Sequence, residues 1–218
     1  TSGVLRKDAP SAGTDERKNF AIWYSFYRTR GLATISAASI AFAELPANTR
    51  LTWQGLTTCT TLDGTSCNGK DNRFREYNPA QRGRLFDWMQ SMTFPSTTPL
   101  RQALDRAGKF LQSEKAWQKF PNATGNTTAN TYSCRPSYHI LMTDGMWNGN
   151  NGSPTGTLRS DHSSFTVAGM NYDGTRAPYA DKTEETLADL AMHYWATDLN
   201  TNLENKLRPY IPFRNESD

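Results

Sequence analysis

The segment Tyr138-His139-Ile140-Leu141-Met142-Thr143-Asp144-Gly145 is the part of the chain that decides the predicted fold class. An apolar run reaches a carboxylate and then a glycine, which is typical of a buried parallel strand that delivers an acidic side chain to the edge of an α/β sheet. Upstream, the hydroxyl-rich turn Ser96-Thr97-Thr98-Pro99 leads into a helical pattern. A hydroxyl and a carboxylate are oxygen ligands that suit Mg²⁺ or Ca²⁺. Thr98 and Asp144 are therefore candidate metal ligands.

Each of these two residues also has a simpler interpretation. Asp144 could cap the loop that follows it or pair with a basic residue. Thr98 could be the N-cap of a helix with Pro99 at the first helical position, a favoured combination that does not exclude a ligand role. A metal could also lie elsewhere, in the Asp-rich loop around Asp173 and Asp181.

The order of periodic segments predicts an α/β fold in which helices flank a sheet. A long amphipathic helix is expected from about Asp15 to Ala43, with its aromatic stripe in the core. The other expected elements are strands at 50–56, 72–77 and 138–143 and helices at 79–92, 99–112 and 183–199. The strand at 72–77 is expected to be a short edge strand that returns beside the one at 50–56, and Asp181–Glu184 fits a capping box for the last helix. Three strands cannot cover the apolar faces of four helices. The domain is therefore expected to be incomplete, lacking a central strand before residue 1 and another after residue 218.

Composition excludes several classes of function. The net charge of +3 is small and scattered, and basic residues do not cluster with aromatic ones, so nucleic-acid binding is not expected. No apolar run is long enough to span a membrane. The serines lie in no Gly-x-Ser-x-Gly motif, which argues against a serine hydrolase. A metal-dependent α/β hydrolase remains the alternative, although the sequence offers no nucleophile and general base near Asp144.

The three cysteines predict an extracytoplasmic protein. Cys59 and Cys67 bracket a short polar loop, and a disulfide between them would fit a secreted or periplasmic location. The alternative is that both are reduced surface cysteines. Cys134 is then either free or paired with a cysteine outside this chain. Asn-x-Ser/Thr sequons, among them those that begin at Asn122, Asn126 and Asn215, would carry glycans only in a eukaryotic secreted protein.

The succession of elements resembles a von Willebrand factor A domain. More narrowly, three segments resemble the type IV pilus assembly and tip-adhesin (PilY-type) family: residues 19–30, a first helix; 134–145, a fourth strand; and 186–195, the next helix. The resemblance runs from about Asp15 to Tyr210. It implies a linker at 1–14 and a partial A-like domain at 15–218, with insertions near 57–71, 119–135 and 146–180.

The resemblance also implies a metal-ion-dependent adhesion site at the top of the sheet. Thr98 matches the threonine of the second loop in that pattern, and Asp144 matches the aspartate after the fourth strand. The other ligands come from an Asp-x-Ser-x-Ser motif, which this chain lacks; the nearest segment, Asp161 to Phe165, has phenylalanine in place of the second serine. This chain alone is therefore expected to bind Mg²⁺ or Ca²⁺ weakly.

The function implied is that of a non-enzymatic adhesion and assembly module of a bacterial type IV pilus. Its expected partners are pilus subunits or minor pilins, host or surface ligands, and the remainder of its own larger protein. It would act at the cell surface or pilus tip after export through the periplasm and outer membrane. The alternatives are the hydrolase considered above and a secreted eukaryotic adhesion glycoprotein with an A domain.

Overall fold

A computed structural model describes most of the chain between Asp15 and Leu207. The described ranges are 15–67, 69–94, 97–122, 131–143, 146–148, 164–167, 170–173, 175, 186–204 and 206–207. The helices within them are α1 (Asp15–Phe26), α2 (Arg30–Ala43), α3 (Pro79–Gln90), α4 (Leu100–Gln112) and α5 (Leu187–Ala196), with a 3-10 turn at Glu114–Ala116. The strands are β1 (Arg50–Leu51), β2 (Arg75–Glu76), β3 (Phe165–Val167) and β4 (Met170–Tyr172). None of the described helices is both long and apolar enough to cross a bilayer.

The backbone divides into two compact units. The first, called here the helical unit, contains the described residues up to Thr49 together with Tyr77–Phe94, and so holds α1, α2 and α3. The second, the mixed unit, contains Arg50–Glu76 and the described residues from 97 onward, and holds α4, α5 and all four strands. Helices and short strands thus both occur, which is compatible with the predicted α/β class.

The long first helix predicted from the sequence is two helices. α1 ends at Phe26. Thr29 is the N-cap of α2, and its hydroxyl accepts a hydrogen bond from the Leu32 amide at 3.2 Å. A threonine that caps a helix stabilises a new start at that position, and this local preference outweighs the continuous apolar periodicity.

The aromatic stripe of α1 was predicted to be core, and this prediction is wrong for the described chain. No residue of α1 is buried, and Phe20, Trp23 and Phe26 are each more than half exposed. The stripe is held together by its own rings instead. The Phe20 centroid lies 5.9 Å from that of Trp23 and 6.0 Å from that of Tyr24. The buried side chains of the helical unit come mainly from α3, among them Leu85, Trp88 and Met89.

The predicted edge strand that returns beside the first strand is present, although both strands are shorter than expected. β1 and β2 pair antiparallel, with Arg50 opposite Glu76 and Leu51 opposite Arg75. β3 and β4 form a second antiparallel pair, with Phe165 opposite Tyr172. Among the described residues the strands form these two separate pairs and no larger sheet.

The core of the mixed unit lies where α4 meets α5. Gly108 allows a close approach, because a Cβ at this position would lie 2.2 Å from the ring of Tyr194. The Tyr194 hydroxyl donates to Asp105 Oδ1 at 2.7 Å, and Lys109 pairs with the other oxygen of that carboxylate at 2.7 Å. Burial, followed by this hydrogen bond to Asp105, raises the pKa of Tyr194, so its proton is retained.

The boundaries of α4 and α5 differ slightly from the prediction. The N-cap of α4 is Pro99 and not Thr98. α5 begins later than expected, and Thr186 and Asp189 form its capping box. The capping box predicted around Asp181–Glu184 lies outside the described residues.

Residues 138–143 do not form the buried strand predicted for them. The structure assigns this segment to no strand, and Tyr138, Ile140 and Met142 are 85%, 66% and 47% exposed. Hydropathy alone indicated burial, but a strand is buried only where neighbouring strands and a covering layer are available. Neither described strand pair includes this segment.

Candidate functional site

The candidate site begins where Thr98 meets Asn148. The Thr98 amide donates to Asn148 Oδ1 at 2.9 Å, and the two residues form an isolated antiparallel bridge. The neighbouring Trp147 lies under the guanidinium of Arg101, 4.7 Å from the ring centroid. Both contacts hold the segment 146–148 against the beginning of α4.

The Thr98 hydroxyl makes no hydrogen bond to the part of the chain that the structure describes. Since Pro99 is the N-cap of α4, the Thr98 side chain does not cap the helix as one interpretation of the sequence predicted. Thr98 takes part in two hydrogen bonds, one through its amide to Asn148 and one through its carbonyl from Leu100, and within the described ranges none engages Oγ1. The lone pairs of this oxygen are therefore not used by any hydrogen bond from the described residues.

Asp144, the second predicted ligand, lies outside the described residues, so its position relative to Thr98 stays a prediction. Of the alternative Asp-rich loop, Asp173 is described and Asp181 is not. Asp173 Oδ1 accepts from the Thr175 amide at 3.0 Å, which is a local turn. The segment Asp161–Ser163 is also outside the described ranges.

The described residues around Thr98 fit a cation only in part. Thr98 Oγ1 and the side-chain oxygen of Asn148 would be neutral ligands of a metal ion. A hard cation prefers to have at least one carboxylate among its ligands. Across the described ranges, no three side chains of His, Cys, Asp or Glu come together as a metal cluster. Any metal at this place would need the Asp144 carboxylate and several water molecules.

Cys59 and Cys67 form the disulfide predicted from the sequence, with their Cα atoms 4.5 Å apart. Cys67 is buried, and Cys134 is a free, exposed cysteine. The alternative of two reduced surface cysteines is therefore not what the structure shows.

Asn72 fills the centre of the disulfide-closed loop. It is completely buried, and its amide nitrogen donates to the carbonyls of Trp53 at 2.5 Å and Thr61 at 2.9 Å. Its side-chain oxygen accepts from the Gly64 amide at 2.9 Å. One side chain thus satisfies two backbone groups of the loop and one of Trp53, which precedes it.

Asp63 holds the same loop to the rest of the mixed unit. Its carboxylate accepts from the Phe74 amide at 2.7 Å and from Asn122 Nδ2 at 3.0 Å, and it pairs with Lys115. Asn122 also donates to the Phe74 carbonyl at 2.9 Å. The nitrogen that a glycan would modify is therefore committed to internal hydrogen bonds.

A second carboxylate, that of Asp71, lies shortly after this loop. Asp71 pairs with Arg73 and with Arg75, each at 2.6 Å. The hydrogen bond from Arg73 lowers the pKa of the Asp71 carboxyl well below its ordinary value, against the opposing effect of partial burial. Asn72, Asp63 and Asp71 carry no sequence motif, which is why sequence reasoning did not find them.

Comparison with curated proteins gives extensive similarity along this chain. It is 42% identical over 207 residues to the type IV pilus biogenesis factor PilY1 of Pseudomonas aeruginosa strain PAK, an alignment that includes 94% of the chain. This similarity supports the resemblance of the chain to the PilY-type family. PilY1 of strain PAO1 is likewise 42% identical over 211 residues, and that of strain UCBPP-PA14 is 42% identical over 207.

The chain spans only a small part of these relatives, 18% of PilY1 from strains PAK and PAO1 and 17% from strain UCBPP-PA14. The similarity therefore applies to one region of a much longer protein. No protein-family model matches the chain. No solved structure matches it either.

Proposed function

We propose that this chain is a binding and assembly module of a type IV pilus biogenesis or tip protein of the PilY type. The observation that carries the proposal is the 42% identity to PilY1, which extends over 94% of the chain and so includes both structural units. Its partners would be pilus subunits or minor pilins, surface ligands and the remainder of its own polypeptide. It would act at the cell surface or pilus tip after export, and the Cys59–Cys67 disulfide fits such a route.

We further propose that the module acts by binding and not by catalysis. Two ionisable groups of the mixed unit with large pKa shifts are occupied by structural contacts: Asp71 by two arginines, and Tyr194 by Asp105. Such pairs stabilise loops and helix contacts, whereas an active site needs a shifted group that faces substrate. The commitment of Asn122 to Asp63 also argues against the glycoprotein alternative at that sequon.

The finer proposal is an A-like domain with a cation site formed by Thr98 and Asp144. Its support is that the Thr98 hydroxyl is not used by α4, and that Asn148, bonded to Thr98, follows Asp144 closely in sequence. A few residues of backbone span at most about 14 Å, so the short separation of Asp144 and Asn148 in sequence is compatible with a shared site. A cation held there by few charged ligands would keep positive charge with which to attract a partner's carboxylate.

Calorimetry with Mg²⁺ and Ca²⁺ tests the cation site. Because few protein oxygens are available, this chain should bind either ion with a dissociation constant on the order of millimolar or weaker. A longer form that restores the upstream sequence should bind more tightly, and Asp144→Ala and Thr98→Val should each remove that gain. Thr97→Val, one residue away on an exposed position, is the matched control and should change nothing.

Micromolar binding by this chain that survives Asp144→Ala would place the metal elsewhere.

The pilus role is tested separately, by removing the region encoding this chain from its gene and counting surface pili by electron microscopy. Loss of pili or of surface attachment is expected. Normal piliation and attachment would contradict the proposed function whatever the outcome for the metal.

A further inference from the structure

A cavity of about 330 Å³ lies in the mixed unit, beside the end of α5 and the segment that follows it. Its volume is at the lower end of the range of small-molecule sites, about 300–1,000 Å³. The wall combines two tryptophans, Trp117 and Trp195, with three leucines and with polar residues from several parts of the chain. It is formed by residues distant from Thr98 and Asp144 in sequence and shares none with that candidate site.

The two indole rings of the cavity are fixed in place. Trp117 Nε1 donates to the Leu111 carbonyl at 2.9 Å, which sets the orientation of its ring. Trp195 makes an edge contact with Tyr172, with ring centroids 6.0 Å apart, and packs against the buried Ala196. Both rings are therefore preorganised apolar surfaces, and a ligand that stacks on them loses little free energy to ordering the protein.

Polar side chains that donate or accept hydrogen bonds surround these rings. Ser133 and Thr197 contribute hydroxyls. Asp198 Oδ1 accepts from the Asn200 amide at 3.0 Å, and Asn200 Oδ1 accepts from the Asn202 amide at 3.2 Å. These turns leave the second oxygen of Asp198 and the side-chain NH₂ of Asn200 unengaged within the described ranges. The cavity thus offers hydroxyl, amide and carboxylate groups around an aromatic surface.

The charges at the cavity disfavour an anionic ligand. Lys206 pairs with Glu204 at 2.6 Å, so these opposite charges compensate each other. Among the described lining residues, Lys206 is the basic one and is already paired, so the negative charge of the Asp198 carboxylate is not compensated there. A carboxylate, phosphate or sulfate on the ligand would be repelled by it.

We propose that this cavity binds a neutral mono- or disaccharide. A sugar ring has an apolar face that can stack on an indole, and each hydroxyl both donates and accepts hydrogen bonds, which matches Asp198, Asn200 and the two hydroxyls. The binding needs no metal. It adds a second recognition site to the proposed binding module and does not rest on the cation site.

Calorimetry and saturation-transfer NMR on the full chain test the proposal, with lactose, maltose, cellobiose and N,N′-diacetylchitobiose as probes. At least one should bind saturably in the millimolar range or tighter. Trp195→Ala should weaken binding about tenfold or more, as loss of a central tryptophan does at other binding sites. Asn200→Ala should weaken it several-fold. Trp23→Ala, which removes an exposed tryptophan of α1 that is not part of the cavity, is the matched control and should leave the affinity unchanged.

Two further measurements separate this site from the alternatives. EDTA should have no effect; loss of sugar binding on chelation would assign the ligand to a metal site and overturn the proposal. Sialyllactose should bind more weakly than lactose, and equal or tighter binding would overturn the assignment to a neutral ligand. If Trp195→Ala fails to fold by circular dichroism, Asn200→Ala decides. Absence of saturable binding by all four sugars, or equal binding by wild type and Asn200→Ala, would also overturn it.

Discussion

Two parts of the mixed unit reverse the usual relation between polarity and burial. The loop region 59–76 is rich in polar residues, yet Asn72 is completely buried and the Asp63 side chain is only 6% exposed. The segment 138–142 is apolar, yet Tyr138 is 85% exposed. The difference lies in the partners available to each region: the polar loop has a hydrogen-bond partner for its buried groups, and the apolar segment has no described surface to cover it.

Hydropathy determines only the free energy that a segment would gain if another surface covered it. Asn72 is buried at low cost because three backbone groups meet its amide. Ile140 would gain roughly 1.5–3 kcal/mol from full burial, but this gain requires a second surface. Substitutions in the two regions test the contrast, and one at the contact between α4 and α5 serves as a reference for a packed core.

Asn72→Ala should have the largest effect. It leaves the Trp53 and Thr61 carbonyls and the Gly64 amide without their partner in a buried place. Since each unsatisfied buried group costs about 1–3 kcal/mol, the free energy of unfolding should fall by about 3 kcal/mol or more. Urea denaturation followed by circular dichroism measures it. Asn48→Ala, an exposed asparagine, should stay within about 0.5 kcal/mol of wild type. Equal small effects would mean that the loop is not organised by Asn72.

Gly108→Ala should have the next largest effect. The new Cβ would lie 2.2 Å from the Tyr194 ring, so α4 and α5 must separate or the ring must leave Asp105. Overpacking of this kind costs about 1–3 kcal/mol. The control is Gly83→Ala in α3, where a Cβ meets no atom within 4 Å. It should stabilise by about 0.5–1 kcal/mol, because alanine is the better helix former. Thermal unfolding of both variants checks the opposite signs.

Local signals in the sequence predicted several individual elements correctly. The helices at 79–90 and 100–112, the antiparallel pairing of 50–51 with 75–76, and the Cys59–Cys67 bridge all follow from short-range features. The buried strand at 138–143 and the core position of the α1 aromatic stripe did not hold. Both rested on the assumption that an apolar pattern finds a covering layer, and a pattern does not show which segment provides it.

The candidate site was less predictable than the fold. Thr98 was identified by its place in a turn, and the structure adds Asn148 as its partner, which no sequence motif indicates. The cavity beside α5 joins Trp117 and Ser133 to residues around 195–206. These residues meet only in the folded chain, since their spacing in sequence has no period or motif. Cavities of this kind are found from coordinates.

The charge cluster at the end of the polar loop should give a small, pH-dependent effect. Arg73 holds the pKa of the folded Asp71 carboxyl below the ordinary value of about 3.9. The carboxylate therefore contributes stability that is complete above about pH 4 and is lost as the pH falls from there through the folded pKa. Because the pair is partly exposed to solvent, Asp71→Asn should cost about 1 kcal/mol or less at pH 7.

Denaturation curves at several pH values measure this effect. The difference between wild type and Asp71→Asn should shrink as the pH falls below 4 and should be smaller in high salt. Glu44→Gln, at an exposed residue, is the control and should show no such trend. A difference that grows at low pH would contradict the pairing with Arg73.

Ile140→Ala should have the smallest effect on this chain, and it tests the other side of the comparison. Ile140 is 66% exposed, so truncation removes little buried apolar surface and should change the free energy of unfolding by less than about 0.5 kcal/mol. Leu190→Ala makes a similar truncation at a residue with no exposed surface, and it should cost about 2–5 kcal/mol. In a longer form of the protein the two values should move closer together if further sequence covers the segment 138–142. A loss of 2 kcal/mol or more for Ile140→Ala in this chain alone would show that the segment is already buried in solution, because an exposed side chain has no such contribution to lose.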